Sequence, residues 1–128
     1  MKKRILVLGN PLLKEDLAAL QLIPFLEGEF PEIEFVEFMP EDGLENEGRN
    51  PVILDIVKGI KKPTIIDNFE HLTSGKLFSP HDFGLAENLL LLKKMGKIDS
   101  FIVIGIPYGW DAEKALPKII MLIRSISL

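Results

Sequence analysis

Three side chains of this sequence have types and positions suited to binding one divalent cation: Asp16, Asp67 and His81. Asp16 follows the apolar run 4–9, Asp67 ends the apolar run 63–67, and His81 precedes a helix-like run. Carboxylate oxygens are hard ligands and an imidazole nitrogen is a borderline one, so this set suits nickel, zinc or manganese better than a soft metal. Because only three protein ligands are present, coordination positions remain for a substrate or a water molecule.

The elements that must position these side chains are read from the apolar runs. β-Branched runs without alternation predict buried strands, and the acidic and apolar alternation of 33–38 predicts a half-exposed one. The predicted strands are 4–9, 33–38, 63–67 and 101–106, with a short edge strand at 75–78. The predicted helices are 16–30 with a kink at Pro24, 51–59 with Asn50 as cap and Pro51 in its first turn, 82–95, and 111–127.

Strands and helices alternate along the chain, which predicts a three-layer α/β/α sandwich with a mostly parallel, doubly wound sheet. We expect one domain over residues 1–128. In such sheets, ligand sites lie beyond the carboxyl ends of the parallel strands. Asp16 and Asp67 follow two predicted strand ends and His81 lies in a strand-to-helix loop, so all three are expected at one edge. Each also has a structural interpretation, since Asp16 can cap a helix and His81 can be a polar loop residue.

The composition excludes several classes of protein and site. The chain has 128 residues, no Cys and a formal charge of −4, so disulfides and thiolate metal sites are excluded and no basic stripe indicates nucleic acid. No apolar run approaches the ~20 residues of a membrane span. We expect a cytoplasmic monomer. A single Gln and the lack of Cys hint at a thermophilic source.

Four stretches of the sequence resemble motifs of the hydrogenase maturation endopeptidases. "ILVLGNPLLKED" resembles the family's first strand followed by G-N-x-L-x-x-D-[DE], and "SPHDFGLAENLLLLKKMG" resembles its S-x-H-D-x-G-L-A-E helix start. "FIVIGIP" resembles its last central strand, and "EKALPKII" resembles its final helix. The likeness extends over nearly the whole chain.

The resemblance implies an endopeptidase that removes a C-terminal peptide from the large-subunit precursor of a nickel-iron hydrogenase after nickel insertion. It implies a metal site made from Asp16, Asp67 and His81, with nickel supplied by the substrate protein or another divalent metal in its place. The family's Gly after the first acidic pair is replaced here by Leu17-Ala18-Ala19. The acidic residue after its second strand has three candidates, Glu37, Glu41 and Asp42.

Two other functions are compatible with an α/β chain of this kind. The first is a non-catalytic metal-binding accessory protein of hydrogenase maturation. The second is a phosphoacceptor receiver domain, which the sequence disfavours because Glu15-Asp16 come well after Gly9 and the run 101–106 leads into Pro107-Tyr108 where a receiver has Lys. No HExxH motif, Ser/His/Asp arrangement or glycine-rich nucleotide loop is evident.

The sequence predicts that Asp67→Asn, which removes charge and keeps shape, leaves the fold intact but lowers metal affinity and precursor processing. His71→Ala is expected to change neither, because His71 lies in a loop with no metal-binding partner in the predicted arrangement.

Overall fold

Five strands form one mixed sheet in the computed structural model, which describes residues 3–9, 14, 17–39, 42–73 and 85–126. The strand order is β2-β1-β3-β5-β4. Neighbouring strands are parallel except for β4, which pairs antiparallel with β5. The strands are β1 (Lys3–Leu8), β2 (Ile33–Phe38), β3 (Val52–Val57), β4 (Thr64–Ile66) and β5 (Ile102–Pro107). We call the edge at which the four parallel strands end the carboxyl edge, and the opposite one the amino edge.

Both faces of the sheet are covered, as a parallel sheet of apolar strands requires. Side chains alternate between the two faces along each strand, so Leu54 and Ile104 point to one face, and Ile53 and Val103 to the other. The first face packs against helices α1, α2 and α5, and the second against α3 and α4. The arrangement confirms the predicted α/β sandwich with a mostly parallel sheet.

The helices begin and end at residues whose chemistry explains the boundary. The predicted helix 16–30 is divided into α1 (Leu17–Gln21) and α2 (Ile23–Glu29), with Pro24 in the first turn of α2, where its missing N–H costs no hydrogen bond. Helix α5 (Ala112–Ser125) begins after Asp111, whose Oδ1 accepts a hydrogen bond from the Lys114 backbone N–H at 2.7 Å. The other helices are α3 (Phe69–Thr73), α4 (Leu85–Lys94) and the short 3-10 helix η1 (Leu44–Glu47).

The glycine at the end of α4 has the left-handed backbone that commonly ends a helix. Gly96 has a φ of 72°, and its N–H bonds the carbonyl of Lys93 at 3.1 Å. The predicted stop of this helix at Gly96 is therefore confirmed. None of the helices in the described part of the chain is long and apolar enough to span a bilayer.

The prediction of a helix over 51–59 is wrong, because this segment forms the central strand β3. Asn50 does not cap a helix; its Oδ1 accepts a hydrogen bond from the Ser100 hydroxyl at 2.8 Å. The Pro51 carbonyl accepts from the Ile102 N–H at 3.0 Å, and Pro51 itself stands just before the strand, where proline is tolerated. The β-branched run Val52-Ile53 followed by Ile56-Val57 therefore prevails over the capping signals.

The prediction that 63–67 is a central parallel strand is also wrong. This segment forms β4, a three-residue edge strand that runs antiparallel to β5, with Thr64 opposite Gly105 and Ile66 opposite Val103. The connection from β3, residues 58–63, is too short for the crossover that a parallel neighbour needs.

The other predicted strands have mixed outcomes. Strands at 4–9, 33–38 and 101–106 are confirmed within one residue at either end. The edge strand predicted at 75–78 lies outside the described residues.

The central position of β3 predicts a large cost for truncating its buried side chains. Leu54 is 0% exposed, so Leu54→Ala is expected to lower the free energy of unfolding by about 2–5 kcal/mol through lost burial and a residual cavity. Leu91→Ala is the matched control, because Leu91 is 53% exposed on α4 and should change stability by no more than about 0.5 kcal/mol. Urea denaturation followed by circular dichroism measures both, and a small loss for Leu54→Ala would contradict the central placement of β3.

Candidate active site

Asp67 lies at the amino edge of the sheet, away from the ends of the parallel strands. It follows β4, which is antiparallel, so the end of β4 adjoins the beginning of β5. Two residues later, the Phe69 ring packs edge-on against Phe101, which immediately precedes β5, with ring centroids 4.8 Å apart. Asp67 is exposed, and its predicted place at the carboxyl edge is therefore wrong, because that prediction assumed a parallel strand.

A different carboxylate occupies the central part of the sheet. Asp55 on β3 is 0% exposed and is the one buried charged residue in the described part of the chain. Its Oδ1 accepts a hydrogen bond from the Ile56 N–H at 2.8 Å. By strand alternation its side chain points to the same face as Ile53 and Val57, the face covered by α3 and α4.

The strand register places Asp55 between the ends of two other parallel strands. Val7 pairs with Leu54, so one step further along the same register Leu8, the last residue of β1, lies beside Asp55. On the other side Asp55 pairs with Gly105 of β5. The chain order reverses here, since β1 continues to β2 on one side and has β3 on the other. Ligands of doubly wound sheets bind at such a switch point.

Gly105 has no side chain to project from the sheet beside Asp55. A Cβ on Gly105 would lie 3.0 Å from Cδ1 of Ile60 and 3.1 Å from Cγ2 of Val57. These contacts are tighter than ordinary packing, so a side chain at position 105 would require Ile60 and Val57 to shift from where they pack against β5. The motif glycine thus lets an apolar wall form next to the buried carboxylate.

The two other predicted site residues, Asp16 and His81, lie outside the described residues. Leu8, beside Asp55 at the end of β1, and Gly9 are the described residues that precede the segment of Asp16. Helix α4, which follows His81, ends near the amino edge, where Lys93 Nζ lies 5.4 Å from the Phe69 ring centroid. Among the residues that the structure describes, no three His, Asp or Glu side chains gather as a metal site.

A buried carboxylate between aliphatic strands costs free energy compared with an apolar residue of similar size. Such groups cluster at functional sites, where the cost is offset by ligand binding or catalysis. Asp55 therefore has the position that the sequence predicts for Asp67: a carboxyl group near the end of a central parallel strand.

A surface pocket of about 450 Å³ opens at the carboxyl edge on the opposite face of the sheet. We call it the Trp110 pocket; its lining includes Lys14, Leu17, Gln21, Tyr108, Trp110 and Asp111. The Tyr108 N–H donates to the Val57 carbonyl at 3.1 Å, so the pocket and Asp55 flank the same end of β3. Two lysines lie over its aromatic rings: Lys58 Nζ is 4.7 Å from the Tyr108 centroid, and Lys114 Nζ is 4.2 Å from that of Trp110.

Asp55 is not among the site residues that the sequence predicts, because it lies in the segment 51–59, which is predicted as a helix. The signal that identifies it is a single carboxylate in an otherwise apolar run, "PVILDIV". A short run rich in Val and Ile favours a buried strand over a helix. An Asp at the centre of such a strand has no benefit for packing, which marks it as a candidate for chemistry.

The burial of Asp55 predicts that it, and not Asp67, contributes to divalent-cation binding. Loss of an outer-shell partner alone lowers metal affinity about 10–100-fold in proteins, so Asp55→Asn is expected to weaken Zn²⁺ or Ni²⁺ binding more than about tenfold. Asp67→Asn is the matched control and should leave affinity unchanged. Isothermal titration calorimetry measures both, with circular dichroism to verify folding; equal affinities for the wild type and Asp55→Asn would contradict the assignment.

Comparison with known proteins places the whole chain in one fold. No protein-family model and no curated protein sequence matches it. Among solved structures, the chain is similar to the hydrogenase maturating endopeptidase HybD from E. coli, with a TM-score of 0.67 and 19% sequence identity. The similarity covers 98% of this chain and 93% of that one. The chain therefore has the fold of this endopeptidase over nearly its full length.

Proposed function

We propose that this protein is an endopeptidase of hydrogenase maturation, which removes the C-terminal extension of a nickel-iron hydrogenase large-subunit precursor. The observation that carries the proposal is Asp55, a fully buried carboxylate at the switch point of the sheet. Support also comes from the shared fold with an enzyme named as a hydrogenase maturating endopeptidase, and from the motifs that carry Asp16 and His81.

In this proposal the acidic residue of the central strand is Asp55 and not Asp67. The resemblance to the family requires an Asp near the end of a central strand. Strand β3 is central and parallel to both neighbours, whereas β4 is a short antiparallel edge strand. The proposed set is therefore Asp16, Asp55 and His81, two carboxylates and one imidazole, which suits nickel or zinc.

The nickel is proposed to belong to the substrate and to be held by these three side chains during recognition. This arrangement makes cleavage depend on prior nickel insertion, because a nickel-free precursor lacks the ion that the site binds. In hydrolysis a water oxygen adds to the carbonyl carbon of the scissile peptide bond, and the departing amine receives a proton. A carboxylate of the site is suited to accept the proton of that water.

Processing of a nickel-loaded large-subunit precursor tests the proposal. The wild type is expected to shorten the precursor, and Asp55→Asn, Asp16→Asn and His81→Ala to lower the cleavage rate at least about 100-fold, the scale expected when one group of a proton-transfer site is removed. The shortened product is detected by mass spectrometry of the purified large subunit.

Asp67→Asn and His71→Ala are the controls and should cleave at the wild-type rate. Binding of the loaded precursor without cleavage would instead support the non-catalytic accessory function. Neither cleavage nor binding would contradict both functions, and loss of activity in Asp67→Asn with retention in Asp55→Asn would contradict the site.

A further inference from the structure

The Trp110 pocket is a second feature of the carboxyl edge, separate from Asp55. It lies on the α1 and α5 face of the sheet, since Leu17 begins α1 and Trp110 packs against the core of that face. Asp55 points to the other face. The two features flank the end of β3, so an extended chain that reaches the Asp55 site over this edge has the pocket beside it.

The pocket carries positive charge on a protein whose formal charge is −4. Lys14 lines it, and the ammonium groups of Lys58 and Lys114 lie over the rings of Tyr108 and Trp110, which also line it. Lys61 and Lys62 follow in the exposed turn after β3, at the same edge of the sheet. Among the residues that the structure describes at this pocket, lysines outnumber carboxylates, whereas the whole chain has a formal charge of −4.

Asp111 is the one carboxylate among the described lining residues, and it is engaged as a helix cap. Its Oδ1 accepts the Lys114 backbone N–H at 2.7 Å. One carboxylate offsets only part of the charge of three lysine ammonium groups. The pocket thus favours an anionic ligand.

The lysines that lie over the aromatic rings also indicate which kind of anion the pocket favours. Lys58 lies over one face of the Tyr108 ring and Lys114 over one face of the Trp110 ring, so fewer aromatic faces remain for a stacked nucleotide base. The three lysines come from different segments of the chain, before α1, after β3 and in α5, which favours several carboxylates over a single terminal one. A volume of about 450 Å³ lies in the range that encloses a ligand of drug size, which corresponds to a few residues of a peptide.

We propose that the Trp110 pocket binds an acidic peptide segment of the protein substrate, with Lys14 and Lys114 pairing its side-chain carboxylates. This inference rests on the proposed function, because it assigns the pocket to the same substrate. The recognition is a specificity contact, remote from the Asp55 site, and it selects precursors whose processed region carries Asp or Glu.

Trp110 provides the probe for this proposal, because it is the single Trp of the chain. The full-length protein is titrated with the peptide Ac-Gly-Glu-Leu-Glu-Gly-amide, and Trp110 emission is recorded. A saturable change is expected, with at least tenfold weaker binding of the Gln counterpart and weaker binding as NaCl is raised. Two further probes test alternative ligands. The Gln counterpart with a free C-terminal carboxylate tests a terminal carboxylate, and AMP tests a nucleotide.

Lys14→Gln and Lys114→Gln are each expected to weaken binding of the acidic peptide at least threefold. Neither substitution should change the midpoint temperature of thermal unfolding. Lys97→Gln is the matched control, because Lys97 is an exposed lysine at the amino edge, and it should bind as the wild type does. The proposal would be overturned if the acidic and Gln peptides bound equally, or if the free-carboxylate peptide or AMP bound more tightly than the acidic peptide. It would also be overturned if neither lysine variant changed the affinity for the acidic peptide.

The two proposals fail separately. Peptide binding requires no cleavage, so selective binding of the acidic peptide without precursor processing would contradict the endopeptidase function alone. Normal processing of the precursor, without selectivity for acidic peptides, would contradict the pocket assignment alone.

Discussion

The burial of one carboxylate in an apolar sheet is the constraint on which the candidate site depends. Asp55 is 0% exposed and lies between Leu8 of β1 and Gly105 of β5. An ionised group in that position is unfavourable unless something compensates it. Strand β3 pairs with β1 on one side and β5 on the other, and its residues are buried, so the position of the carboxyl group is set by the strands. Such preorganisation is what a site needs to bind an ion or to transfer a proton.

The topology of the sheet places this carboxylate where ligands of doubly wound sheets bind. Strand β1 has β2 on one side and β3 on the other, and such a switch point, beyond the carboxyl ends of the parallel strands, is the usual ligand position in this class of fold. Asp55 lies two residues before the end of β3, near that edge. Gly105 contributes by its lack of a side chain, which lets Ile60 cover β5 next to Asp55. The motif glycine therefore has a packing role that supports the site.

Much of the fold follows from the sequence, because three strands are long apolar or alternating runs with clear ends. The strands at 33–38 and 101–106, and the stop at Gly96, depend on local signals that the tertiary structure leaves intact. Strand β3 could not be recognised in this way, because Asn50 and Pro51 are equally good signals for the start of a helix. Residues 52–57 form a strand because they pair with β1 and β5, which are distant from them in the sequence.

The wrong prediction of a helix over 51–59 is the cause of the wrong position predicted for Asp67. With 51–59 predicted as a helix, the sequence predicts 63–67 as one of four parallel strands, together with 4–9, 33–38 and 101–106. Residues 58–63 are too short for a parallel crossover, which would have revealed the antiparallel strand once β3 was recognised. The central claim, that the acidic residue of the site is Asp55, is tested most directly by a crystal structure of the protein soaked with Zn²⁺, with the ion located by its anomalous scattering. A zinc peak within about 2.0–2.2 Å of an Asp55 carboxylate oxygen is the expected result. A peak bound by Asp67, with none at Asp55, would contradict the account.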